Sequence, residues 1–201
     1  MRTLDVSDLP PYDISSQSPL WWGQLCIDFI EGAMFCILIA AFLYTRLRLD
    51  VFPPPGDQFP HLMLPTLSLI ALILSVPPAY FASKAAKENN RAGMIRNLAL
   101  NLVFAAIAFV LRIFEWHSLN FNWQTDAYGS YVWAFLGLHS FDFLADAIFT
   151  LVLLFLIIIG RYAEKQRLGV HVDTVVWYFL VAIWIPIYVF IYWGPRILGS
   201  Q

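Results

Sequence analysis

The run YVWAFLGLHSFDFLADAIFTLVLLFLIII, Tyr131 to Ile159, carries two acids, one histidine and no lysine or arginine across 29 residues. As a helix rising about 1.5 Å per residue it is long enough to cross the roughly 30 Å hydrocarbon layer of a bilayer. Backbone amides in that layer find no water, so a span must close its own hydrogen bonds, which a helix does and an open strand does not. Four further runs read the same way: Leu20–Tyr44, Leu62–Ala82, Asn97–Trp116 and Thr174–Trp193. The fold class that follows is an all-α integral membrane protein, a bundle of five transmembrane helices. It forms one membrane domain over residues 20–196, with a tail of 1–19 before it and a short tail of 197–201 after it.

Composition supports this reading. The chain is 60% hydrophobic and only 13% charged, about half the charge of a soluble domain, so a water-facing surface cannot be built from it. A net charge of -2 without a basic cluster argues against a nucleic-acid partner. The first twenty residues are acidic and rich in proline and serine rather than basic and then apolar, so no cleaved signal is expected. Cys26 and Cys36 share the first span about 15 Å apart along the helix, beyond the roughly 7 Å Cα limit for a disulfide.

Basic residues set the expected orientation, because they stay on the cytoplasmic side of short loops. Arg2, Lys84, Lys87, Arg91, Arg96, Arg161, Lys165 and Arg167 fall on one side, and only Arg46, Arg48, Arg112 and Arg196 on the other. The N-terminus is therefore expected in the cytoplasm and the C-terminus outside, in the periplasm. Trp21, Trp22, Trp116, Trp123, Trp177, Tyr192 and Trp193 lie near span ends, where amphipathic rings suit the headgroup layer. The loop Val51-Phe52-Pro53-Pro54-Pro55-Gly56 should end the first helix firmly, and Pro77, Pro78 and Pro186 should kink the second and fifth.

Ionisable groups at membrane depth need a partner, a neutral form or a watery cavity. Asp28 and Glu31 lie three apart on one face of the first span, and His139, Asp142 and Asp146 form a stripe on the fourth. Arg112 and Glu115, also three apart, can pair on their own helix. These seven residues are the candidate site. An interhelical polar network, a proton or substrate path and a metal site are the three readings open to them. The Glu-x-x-His ligand pattern of di-iron bundles does not occur, and His139 alone is a thin basis for haem ligation. No phosphate-binding loop, nucleophile elbow or Cys-x-x-Cys pair is present, so no catalysis by this chain alone is expected.

Several motifs, taken in register, resemble cytochrome c oxidase subunit III. Ile30-Glu31-Gly32-Ala33-Met34-Phe35 looks like that family's third helix, and Phe52-Pro53-Pro54-Pro55-Gly56 like its proline-rich connection. Arg112-Ile113-Phe114-Glu115-Trp116 resembles the end of the fifth helix, and Tyr128-Gly129-Ser130 with Gly137-Leu138-His139 the sixth. Trp177-Tyr178-Phe179 through Ile191-Tyr192-Trp193-Gly194 is similar to the last. The family's usual first two helices have no counterpart here, as in its five-helix bacterial versions. Asp142 stands where many members have a second histidine, and Tyr178 and Val181 replace polar residues of the last helix. Glu31, Glu115 and His139 match in residue type.

The resemblance implies a non-catalytic subunit III of a bacterial haem-copper terminal oxidase in the inner membrane. Such a subunit carries no cofactor of its own. Haem and copper would lie in partner subunits I and II, and phospholipid would bind along the bundle. It would flank the catalytic subunit and support proton uptake and oxygen access. Subunit III of a quinol oxidase, an accessory protein of nitric oxide reductase and, in a different class, a small independent transporter or channel are the alternatives. Glu31 and one or more of Asp28, Asp142 and Asp146 are expected to form a buried, partly protonated carboxylate group, since crowded carboxylates out of water favour sharing protons. Glu115 and His139 are expected to meet between the third and fourth spans.

Overall fold

The structure, a computed structural model, describes residues 14, 16, 18–49, 51–52, 54, 60–161 and 164–198. They form helices α1 (Pro19–Arg48), α2 (Met63–Lys87), α3 (Arg91–Ser118), α4 (Ala127–Ile158) and α5 (Glu164–Tyr188). A π-helical turn, Val189–Trp193, and a short α6 (Gly194–Leu198) continue α5. Five of the described helical stretches are long and apolar enough to cross a membrane, and the described residues contain no strand. The chain is an all-helical, multi-pass membrane protein.

The helices outrun the apolar spans at several ends. Helix α5 starts at Glu164 rather than near Thr174, and α3 at Arg91 rather than near Asn97. Glutamate, lysine, glutamine and arginine are good helix formers, so the backbone stays helical where hydropathy has already fallen. Local chemistry fixes the starts. The Asn90 and Asp126 side chains accept hydrogen bonds from the amides of Gly93 (2.9 Å) and Gly129 (2.7 Å), capping α3 and α4. Asn89, just before the first cap, takes φ 57°, a left-handed turn that asparagine tolerates. Pro186 is followed by the π-helical turn, the form in which this helix departs from regular geometry. Of the proline loop, Pro53, Pro55 and Gly56 lie outside the described residues, as do most of 1–19 and the end of the last tail.

Arginines tie the helix ends together. Arg91 donates to the carbonyls of Ile157 (3.1 Å) and Ile158 (2.9 Å) in the last turn of α4. The α2–α3 and α4–α5 turns thus share one end of the bundle. At the opposite end Arg196 donates to Pro60 O at 2.7 Å.

The most extensive helix contact is α2 on α3. Ala79, Ala82, Ala85, Ala86, Ala105 and Ala108 are all buried, and small residues let membrane helices approach closely. Helix α5 packs against α2, α4 and α1, while α1 sits at the periphery against α5 and α4. Phe42 anchors it in a cluster with Phe52, Tyr128, Tyr131 and Phe135. The aromatic residues near span ends divide. Trp22 and Trp123 are exposed, but Trp177 and Tyr192 are fully buried, and Trp177 turns inward because its indole donates to Ser75 Oγ at 2.7 Å.

Gly129 is a packing requirement. A Cβ there would meet the Asn122 carbonyl oxygen at 2.5 Å, so backbone would have to move. Gly129→Ala is expected to destabilise the start of α4 by about 1–3 kcal/mol, read as a lowered thermal midpoint of the chain in lipid nanodiscs. An unchanged midpoint would show that the Asn122 turn yields freely.

Candidate functional site

The seven residues singled out from sequence separate into two clusters. His139 and Asp146 share a face of α4 but lie about 10 Å apart along its axis, so the stripe serves two different layers.

The first layer joins α2, α3, α4 and α5. Arg112 and Glu115 pair at 3.4 Å with both side chains buried, long for a hydrogen bond but close for charges. The Arg112 guanidinium also lies 3.6 Å from the centre of the Trp184 ring on α5, a desolvated cation–π contact. His139 packs on the same ring, with centroids 4.5 Å apart, and its Nε2 lies 3.1 Å from Leu180 O. A carbonyl only accepts, so Nε2 carries the hydrogen and Nδ1 of the neutral ring is an acceptor. The expected Glu115–His139 contact is replaced. Both Glu115 oxygens lack a hydrogen-bond partner, and from α3 it is Arg112, with Ala108, that shares a small cavity with His139.

The second layer gathers carboxylates from α1, α4 and α5. Asp28, Asp146 and Asp173 are buried, while Glu31 and Asp142 are half-buried. Asp142 and Asp28 act electrostatically on Glu31, and Asp173, Asp28 and Glu31 act on Asp146. Gln24 Nε2 donates to Asp28 Oδ1 at 2.8 Å, and Thr150 Oγ1 to Asp173 Oδ1 at 2.8 Å. Thr150 also lies 3.1 Å from its own helix's Asp146 carbonyl. One oxygen each of Asp28, Asp142 and Asp146 has no hydrogen-bond partner. Beside Asp28 a groove of about 690 Å³ opens between α1 and α5, lined otherwise by apolar side chains including Phe29 and Phe179, with Gly32 and Cys36. Carboxylates and a bridging hydroxyl, screened on one side by apolar wall, can hold and share protons. Among the described residues no group of three or more His, Cys, Asp or Glu is arranged to hold a metal ion.

Asp173 and Trp184 are the members that sequence reading missed. Asp173 falls one residue before the apolar run starting at Thr174, so hydropathy placed it outside the hydrocarbon. With α5 beginning at Glu164, it lies more than two turns inside the helix. The legible signal was Thr150, four residues after Asp146 and therefore on the same stripe.

The model of one family, cytochrome c oxidase subunit III, matches residues 18–195. Cytochrome c oxidase subunit 3 of Rhizopus stolonifer is 26% identical over 183 residues, 88% of this chain and 65% of that protein. Cytochrome c oxidase subunit 3 of Synechocystis sp. is 24% identical over 176 residues, 85% and 74% of the two chains. Cytochrome bo(3) ubiquinol oxidase subunit 3 of Pseudomonas putida is 24% identical over 163 residues, 78% and 79%. The match thus spans less than two thirds of the Rhizopus protein's own length.

Proposed function

The chain belongs to the cytochrome c oxidase subunit III family, and on that premise we propose that it flanks the haem- and copper-bearing subunits I and II of a terminal oxidase in a bacterial inner membrane. It adds no redox centre there. Its part is to hold lipid against the bundle and to support proton uptake and oxygen access in its neighbour. The observation that carries this reading is that Asp28 and Glu31 on α1, Asp142 and Asp146 on α4 and Asp173 on α5 are neighbouring acids, with Asp28 lining the α1–α5 groove. Isolated intramembrane charges are costly, so five neighbouring acids on three helices need one another, a neutral form or water. The excess of lysine and arginine in the α2–α3 and α4–α5 loops supports a cytoplasmic N-terminus, which would set these acids in the cytoplasmic half.

Glu31 and Asp142, half-buried at the margin of the layer, are the members best placed to exchange protons with a neighbouring chain or water. Glu31→Gln keeps the size and hydrogen-bonding reach of the side chain but removes its titration. The purified complex is expected to assemble normally and to show lower turnover with altered proton uptake. Unchanged turnover and pumping would sink the proton role and leave the layer as structural. The similarity to a ubiquinol oxidase subunit 3 supports a second reading, in which the donor is quinol. Whether the co-purified subunit II carries a dicopper domain separates the two.

A further inference from the structure

A space of about 10 Å³ lies where α2, α3 and α4 meet, lined by Ser68, Leu72, Ala108, Arg112, His139, Ser140 and Phe143. That is roughly the room one water needs, and a water so buried typically makes about three hydrogen bonds. Three of the lining residues keep a buried polar atom with no hydrogen-bond partner: Arg112 Nη1, His139 Nδ1 and Ser140 Oγ. All three side chains are at least nine-tenths buried. We propose that this cavity is a binding site for a single structural water that joins α3 to α4.

The chemistry of the lining selects the occupant. Arg112 only donates. His139 Nδ1 accepts, because Nε2 donates to Leu180 O, and the Ser140 hydroxyl does either. One water accepts from Arg112 and donates one hydrogen to His139 and the other to Ser140, which gives each of the three orphaned atoms a partner. Ser68, which also lines the space, already donates its hydroxyl to Ala108 O at 3.3 Å. A metal cation is refused by the guanidinium. Chloride is larger than the single water the space has room for, and the Arg112 charge is already balanced by Glu115. An apolar gap of this size stays dry, but a gap with three unmatched polar atoms pays a desolvation penalty for each unless water enters. The assignment is independent of the oxidase role, since it uses only this chain's own side chains.

The experiment is a cryo-EM map of the native complex at a resolution that shows ordered water. One peak is expected within hydrogen-bond distance of at least two of Arg112 Nη1, His139 Nδ1 and Ser140 Oγ. Clear density for these side chains with no peak between them, or with the side chains rotated to bond one another, overturns the proposal. In the Ala108→Val variant the added methyls occupy the cavity, and the peak should vanish. A peak persisting there places the density elsewhere and also overturns the assignment. Should that variant not assemble, the wild-type map alone decides.

Discussion

Replacing Arg112 with methionine is expected to destabilise the bundle by about 3–5 kcal/mol, the range for breaking a buried ion pair on one side. Glu115 would be left 1% exposed with no cation near it and no hydrogen bond to either oxygen. The cation–π contact with Trp184 disappears in the same change. Removing both charges is a different matter. In the double variant Arg112→Met, Glu115→Leu no charge is stranded, and a buried pair exchanged for apolar groups is often near neutral. Most of the loss should return, short of about 2 kcal/mol for the desolvated cation–π contact. Thermal unfolding of the two variants and the wild type in lipid nanodiscs reads this directly. A single variant as stable as wild type means that Glu115 does not depend on Arg112. A double variant weaker than the single one means that the pair itself, rather than the stranded acid, holds the layer.

Legibility in the sequence tracks the physical scale of each signal. The five helices follow from runs of apolar residues some twenty long, because the bilayer imposes one length on every span and no polar partner on any of them. The site was partly legible for the same reason. Asp28, Glu31, Arg112, Glu115, His139, Asp142 and Asp146 stand out because charge is rare at that depth. What the sequence could not carry was which helix each side chain faces. His139 and Asp146 share a stripe yet serve different layers. His139 turns to Leu180 and Trp184 rather than Glu115, since the partner across an interface depends on packing that periodicity does not encode. Trp177 shows the converse limit. An indole near a span end reads as a headgroup anchor, and only the neighbouring serine on α2 reveals that it points inward.

That inward indole carries the second large effect. Trp177 has no solvent-exposed surface, its ring centre is 5.3 Å from that of Phe143 on α4, and it bonds Ser75 on α2. It fills the crossing of three helices. Trp177→Ala is expected to cost roughly 3–5 kcal/mol. In a membrane the transfer part is smaller, since lipid tails are as apolar as the core, and lost packing contacts dominate instead. The walls are poorly placed to collapse into the gap. Thr174 Oγ1 shares its hydrogen between Val170 O at 2.9 Å and Ala79 O at 3.2 Å, and Thr66 meets Tyr188 at 2.6 Å, so α2 and α5 touch through polar groups at two levels. Trp177→Phe keeps much of the ring and gives up only the indole hydrogen bond. Ser75 still donates to Leu72 O at 2.5 Å, so this variant should lose only about 1 kcal/mol. Unfolding midpoints in nanodiscs separate the cases. Equal losses for Ala and Phe would assign the stability to the hydrogen bond rather than to volume. No loss for Ala would mean that α2, α4 and α5 do close around the space, so that Trp177 is not what sets their separation.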